Sequence, residues 1–233
     1  MALTDLRSNT LNIVNEVMRK LGLSAVTTLT SSQLTRVLVR FLNETIEECS
    51  NFGDWQEAFK EVNVTAQSSV GTYEIKTSGA TLVKNIYEIH WNNDVAPLEV
   101  REIQDMRRLQ RLASFGTPRQ FAVVGVNASS GNPNIRVYPV PTTAAAFDVA
   151  FYEKPRLIDA TVTANTTAIP IFPSNVLIAG VYAKALLEEN GGEPTREYEV
   201  AYQEYLSTRQ EALNRFNADT GTDIYIVPTG GRW

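Results

Sequence analysis

Few residues in this chain could do chemistry, and they do not cluster along it. The one histidine, His90, lies between Ile89 and Trp91 in a stretch with strand patterning. It reads as a strand histidine satisfied by hydrogen bonds, not as a general base. The one cysteine, Cys49, excludes an intramolecular disulfide and any cysteine-built metal site. It falls on the apolar face of a helix with nothing nearby to stabilise a thiolate, so an inert, buried thiol is expected. Carboxylate pairs could support acid–base chemistry. Glu47-Glu48 and Glu188-Glu189, however, are adjacent in helices, so their side chains diverge and read as solvated faces. Asp219-Thr220-Gly221 matches the aspartic-protease tripeptide, but that reaction needs two aspartates sharing a proton on a buried turn. Here the tripeptide follows a long helix, where Gly is a common stop signal. The phosphate-loop, dinucleotide, zincin and nucleophile-elbow motifs are all missing. The expectation is a protein with no cofactor, no metal and no catalysis.

Two stretches point to contact instead. Arg101, Arg107, Arg108, Arg111 and Arg119 reverse the sign of an otherwise acidic chain, with Glu99, Glu102 and Asp105 among them. They read either as a solvated helix face with i,i+4 pairs, or as a contact to an acidic neighbouring subunit or a phosphate backbone. The chain end carries Ile224, Tyr225, Ile226, Val227 and Pro228. This is either a frayed terminus or an extended arm that adds to a partner's surface.

The bulk numbers narrow the class. With 233 residues, 43% hydrophobic and 20% charged, the chain can bury a sizeable core. A net charge of −5 argues against wrapping nucleic acid, which needs excess Lys and Arg. The opening MALTDLRSNT has no signal-peptide core, and no apolar run nears the ~18 residues of a membrane span. Synthesis and folding in a reducing cytoplasm are expected.

Periodicity supplies the elements. Residues 9–22 form an amphipathic helix on Leu11, Val14, Val17, Met18 and Leu21, closed by Gly22. A capping box at Thr30-Ser-Ser-Gln33 opens a second helix on Leu34, Val37, Leu38, Phe41, Leu42, Thr45 and Cys49. Strands are predicted at 58–65, 70–76, 83–91, 119–126, 135–139 and 146–153. One helix interrupts them at about 99–115, burying Val100, Ile103, Met106, Leu109, Leu112 and Ala113. The Thr- and Ala-rich stretch from Thr161 to Ile171 reads as extended. Two last helices flank the break Asn190-Gly-Gly-Glu-Pro194, with the proline in the first turn of the second. That helix carries a stripe of Tyr198, Ala201, Tyr202, Tyr205, Arg209, Ala212, Leu213 and Phe216.

Helices at both ends bracketing a run of strands give an α+β fold. The reading is a bundle of N- and C-terminal helices, an inserted and mainly antiparallel β domain, and an extended C-terminal tail. Its parts are 1–56, 57–168, 169–217 and 218–233.

The order of these parts resembles the head-to-tail adaptor proteins of short-tailed bacteriophages, the family that includes tail tubular protein A. The likeness rests on several stretches. LNIVNEVMRKLGL is followed by LTSSQLTRVLVRFLNETIEECSNFGDW, two helices ending near a Trp. Arg119-Gln-Phe-Ala-Val is followed by Ile135-Arg-Val-Tyr-Pro-Val-Pro141. Phe147 leads to Phe151-Tyr152-Glu153-Lys154-Pro155, and Ile169-Pro-Ile-Phe-Pro173 opens an Ala-rich helix. The resemblance covers about residues 10–217, and it is the order of the stretches that carries it, since none is diagnostic alone.

It implies a ring, typically of twelve subunits, beneath the portal protein of a virion neck. Such a ring extends the DNA channel and offers a platform to a tail nozzle or other tail proteins. DNA would pass without sequence-specific binding, and the tail residues Ile224 to Pro228 would dock on the portal. Two other functions are set against it. One is a carboxylate-based cell-wall hydrolase, for which no carboxyl pair can be nominated. The other is a carbohydrate- or protein-binding module of the tail, with Tyr87 and Trp91 as platforms.

Overall fold

The computed structural model describes residues 7–77, 82–92, 94–112 and 114–219, with side chains of the last helix to 215. In chain order the elements are α1 (Thr10–Lys20), α2 (Gln33–Phe52), β1 (Phe59–Ala66), β2 (Thr72–Glu74), β3 (Leu82–Trp91), β4 (Glu99–Val100), α3 (Ile103–Gln110), β5 (Gln120–Val126), β6 (Pro133–Tyr138), β7 (Ala145–Lys154), α4 (Ser174–Glu189) and α5 (Arg196–Asp219). Short 3₁₀ turns occupy Gln56–Ala58 and Thr163–Thr166. The expected α+β class, with helices at both ends around an antiparallel β insertion, is what the chain adopts. It divides into two compact units, Met1–Glu57 with Leu157–Trp233, and Ala58–Arg156.

In the helical unit α1, α2 and α5 each start where a side chain satisfies a free N–H group, whereas α4 follows Pro173 with no side-chain cap. Asn9 caps α1 by accepting from the Asn12 N–H at 2.8 Å. Arg19 and Lys20 lie in its last turn, where a helix favours cations. The capping box of α2 sits two residues later than expected, on Ser32 and Thr35. Ser32 Oγ accepts from the Thr35 N–H, and Thr35 Oγ1 accepts from the Ser32 N–H, both at 3.1 Å. Leu29, in the loop before the cap, has its side chain buried.

α4 is apolar on all sides and touches α1, α2 and α5. It is the axle of the bundle. Beyond it the chain turns as read: Gly191 and Gly192 both take positive φ, and the Gly192 N–H donates to Leu187 O at 2.8 Å. α5 begins at Arg196, not at the proline, because Thr195 Oγ1 accepts from the Tyr198 N–H at 3.3 Å.

The stretch before α4 is not extended throughout. Asp159 accepts from both the N–H and the hydroxyl of Thr161, at 2.8 and 2.7 Å. Buried Asn165 donates to Asp159 O at 2.9 Å. This local side-chain bonding outcompetes the extended form and produces the 3₁₀ turn. Asn43 of α2 makes paired bonds to the Ile158 backbone at 2.7 and 2.8 Å, and Thr10 makes two to Ala168 O. The connection is thereby tied to the bundle.

The second unit holds two sheets, ordered β1-β7-β3 and β2-β6-β5-β4. Pairing is antiparallel except between β4 and β5. Both sheets feed one core, including Val64, Tyr73, Ile89, Trp91, Phe121, Val137, Phe147 and Phe151. β6 shows strict inside–outside alternation, the pattern of a half-buried strand. All six predicted strands form, with shifted ends.

The predicted helix at 99–115 is corrected to eight residues. At its start the Glu99 N–H donates to Arg119 O and the Arg101 N–H to Phe121 O, both at 2.8 Å, which draws 99–101 into the ladder with β5. At its end the Val140 N–H donates to Ser114 O and the Gly116 N–H to Val140 O. Sheet pairing at both ends outweighs helical propensity. Of the six side chains expected inside, only Met106 is buried, Ile103 and Leu109 are half-buried, and Ala113 lies outside the described residues. Val100 and Leu112 are 67% and 70% exposed, so the expectation that this helix buries them is overturned.

Candidate assembly surfaces

The residues that looked most chemical are structural. Cys49 is fully buried, and burial pushes its thiol up to about 12. Its sulfur lies 3.8 Å from the hydroxyl of Tyr205, which is also buried. Burial, followed by the facing Cys49 and Glu48, pushes that phenol up as well. Both groups are neutral at pH 7, so neither is an activated nucleophile. His90 Nδ1 lies 2.8 Å from Asp94 O, and Nε2 lies 3.5 Å from Glu88. The carbonyl of Asp94, then Glu88, raises its pKa, so it is a strand histidine satisfied by its neighbours. Glu74 accepts from Ser130 and from Asn127, bonds that hold it below the usual carboxylate range and pin the loop between β5 and β6. Among the described residues no group of His, Cys, Asp and Glu could hold a metal, and no helix is long and apolar enough to cross a membrane. Asp219 ends α5, and the rest of the protease-like tripeptide lies outside the described residues.

Glu48 is half-buried and engaged, where its helical position suggests a fully solvated face: Lys184 Nζ donates to it at 2.6 Å and the Tyr205 hydroxyl at 3.1 Å. Lys184 also lies 3.5 Å from Glu44. Arg209 Nη1 donates to Tyr205 Oη at 3.3 Å, with its guanidinium 3.9 Å from the Phe52 ring centroid. These contacts bolt α2, α4 and α5 together, and the stripe on α5 is buried at Ala201, Tyr205 and Ala212. Tyr202 stays exposed, and the side chain of Phe216 lies outside the described residues. Lys184 was the available signal. It is the one charged residue between Ser174 and Leu187, and a cation on so apolar a helix requires a counter-ion.

Among the described residues three exposed surfaces bear on function. Tyr87 is 55% exposed and meets Phe59 and Tyr152 edge-on, at 5.8 and 6.2 Å between centroids. Trp91, offered with it as a platform, is instead core. The second surface is α3 and its flanks. Arg107, Arg108 and Arg111 share its C-terminal end, and all three are exposed. Arg108 pairs with Asp105 at 3.6 Å and Arg101 with Glu99 at 2.8 Å. No ion pair among the described residues engages Arg107 or Arg111. Beside them lie Leu112 and Phe115, the latter 60% exposed.

The third surface is the turn joining α4 to α5. Residues 188–204 hold six carboxylates and one arginine, Arg196, and all six carboxylates are exposed. Glu188 lies 3.6 Å from Arg40 and Glu204 lies 4.0 Å from Lys20. Ile224, Tyr225, Ile226, Val227 and Pro228 lie outside the described residues.

A family model described as SU10 adaptor protein matches residues 8–229, across both units. No curated protein matches the chain.

Proposed function

Because this chain belongs to the SU10 adaptor protein family, and so is a bacteriophage adaptor of the virion neck, we propose that it forms the ring joining head to tail. The carrying observation is a family match spanning both the helical and the β unit. In this reading about twelve copies sit beneath the portal protein, continue the DNA channel and present a platform to a tail nozzle or other tail proteins. Kinship with tail tubular protein A belongs to the same proposal. Assembly takes place in the host cytoplasm, works through interfaces, and involves no turnover.

Within that reading the helical parts 1–56 and 169–217 act as a rigid mast for the tail beginning at residue 218. The segment from Ile224 to Pro228 docks on the portal, by the extended-arm chemistry its composition suits. The arginine set Arg101, Arg107, Arg108 and Arg111 contacts a subunit or phosphate. An acidic lumen would let DNA slide by without sticking, in keeping with the −5 net charge.

Native mass spectrometry of the protein alone and with its portal tests the role. The expected result is a complex of fixed stoichiometry that a chain ending at residue 222 fails to form. If the full chain ignores every portal, the proposal falls.

A further inference from the structure

We propose that the Arg-rich end of α3 on one copy docks against the acidic α4–α5 turn of a second copy, through Arg107 and Arg111 on one side and Glu189 and Glu193 on the other. This rests on the adaptor reading and gives it an interface.

The two faces are complementary in charge. From Met106 to Arg119 the chain carries four arginines and no carboxylate. Arg107 and Arg111 stand one turn apart, exposed and without an ion pair among the described residues. From Glu188 to Glu204 the balance is reversed, six carboxylates against one arginine. Glu188 and Glu189 also occupy the last turn of α4, which has no basic residue. The backbone dipole is negative there, and since Arg40 meets only Glu188, the Glu189 carboxylate raises the local energy until a cation meets it. Glu189 and Glu193 engage no ion pair among the described residues.

The α3 face has the chemistry of a protein contact. Leu112 and Phe115 stand exposed among the arginines, and Arg with aromatic anchors is the composition enriched at protein interfaces. A phosphate backbone has no use for those apolar groups, and Glu99, Glu102 and Asp105 beside them would repel it. On the acidic side Val200 is 63% exposed and offers apolar surface to match. Because the two patches differ, the contact is heterologous. Repeated head to tail, such a contact closes into a ring when its rotation permits.

The full chain is assembled with its portal, and the copies bound are counted by native mass spectrometry across a protein titration. The variants are Arg107→Glu/Arg111→Glu, Glu189→Arg/Glu193→Arg, and all four together. Each double variant is expected to need about tenfold more protein for assembly, since like charges then face each other. The fourfold variant, with the attraction restored, is expected to recover the wild-type titration. Recovery separates pairing from damage to either fold. If both double variants assemble as the wild type does, or the fourfold variant stays defective, the pairing is overturned while the adaptor role stands. A wild-type chain that never multiplies on a portal removes both. Salt-sensitive retention of duplex DNA, lost in the arginine variant with assembly unchanged, would assign the arginines to phosphate and overturn the pairing.

Discussion

Cys49 and Tyr205 show how a residue with reactive potential becomes scaffold. Their neighbours are α-helical walls and a hydrogen-bonded carboxylate, so burial dominates and both stay protonated. The thiol's ordinary value of 9.0 rises to about 12 in the fold. Its contribution to stability is therefore intact below pH ~9 and is lost as pH climbs towards 12, because the unfolded thiol ionises first. At pH 8 a thiol-labelling reagent should leave the native protein unmodified and react with Cys49 fully in ~6 M urea. Rapid labelling of the native chain would contradict this burial. The inertness of Cys49 was legible from its place on an apolar stripe. The partners of Glu48 were not, because they come from helices more than a hundred residues away.

At the scale of elements, the tightest constraint is the approach of α4 to its neighbours. A Cβ at Gly180 would lie 2.5 Å from Thr45 Cγ2 and 2.9 Å from the Tyr205 ring. Thr45 and Tyr205 are both buried and have nowhere to move. Gly180→Ala should therefore cost about 1–3 kcal/mol by overpacking, despite the better helix propensity of Ala. Urea denaturation would show this as a lower midpoint at unchanged slope, and an unchanged midpoint would refute the close approach. Helix and strand periods located most elements within a few residues. They failed at α3, where an amphipathic pattern was real but sheet ladders claimed both of its ends. Strand β4, two residues long, has no periodicity to read and exists only because β5 lies beside it.

At the scale of the whole molecule, charge bears on whether the chain can bind nucleic acid. A net charge of −5 leaves too few free cations to neutralise a run of phosphates. In a mobility-shift assay near physiological salt (~0.15 M), the full chain should not retard duplex DNA. Retention there would mean that the arginine face outweighs the rest of the surface. Each unit carries its own buried tryptophan, Trp55 in the bundle and Trp91 in the β core, which gives each a native reporter for such work.

The sequence by itself determined the class of the fold, most of its helices and strands to within a few residues, and the glycine turn between α4 and α5. These are local matters of period, composition and short-range hydrogen bonding, which neighbours in the chain decide among themselves. Tertiary structure alone decided that Glu48, Lys184 and Tyr205 form one bolt, that α3 is short, and that Leu112 and Phe115 stand outside beside unpaired arginines. Each of these is a competition between partners distant in sequence. Its winner is set by which groups arrive within ~3–4 Å once the cores have closed.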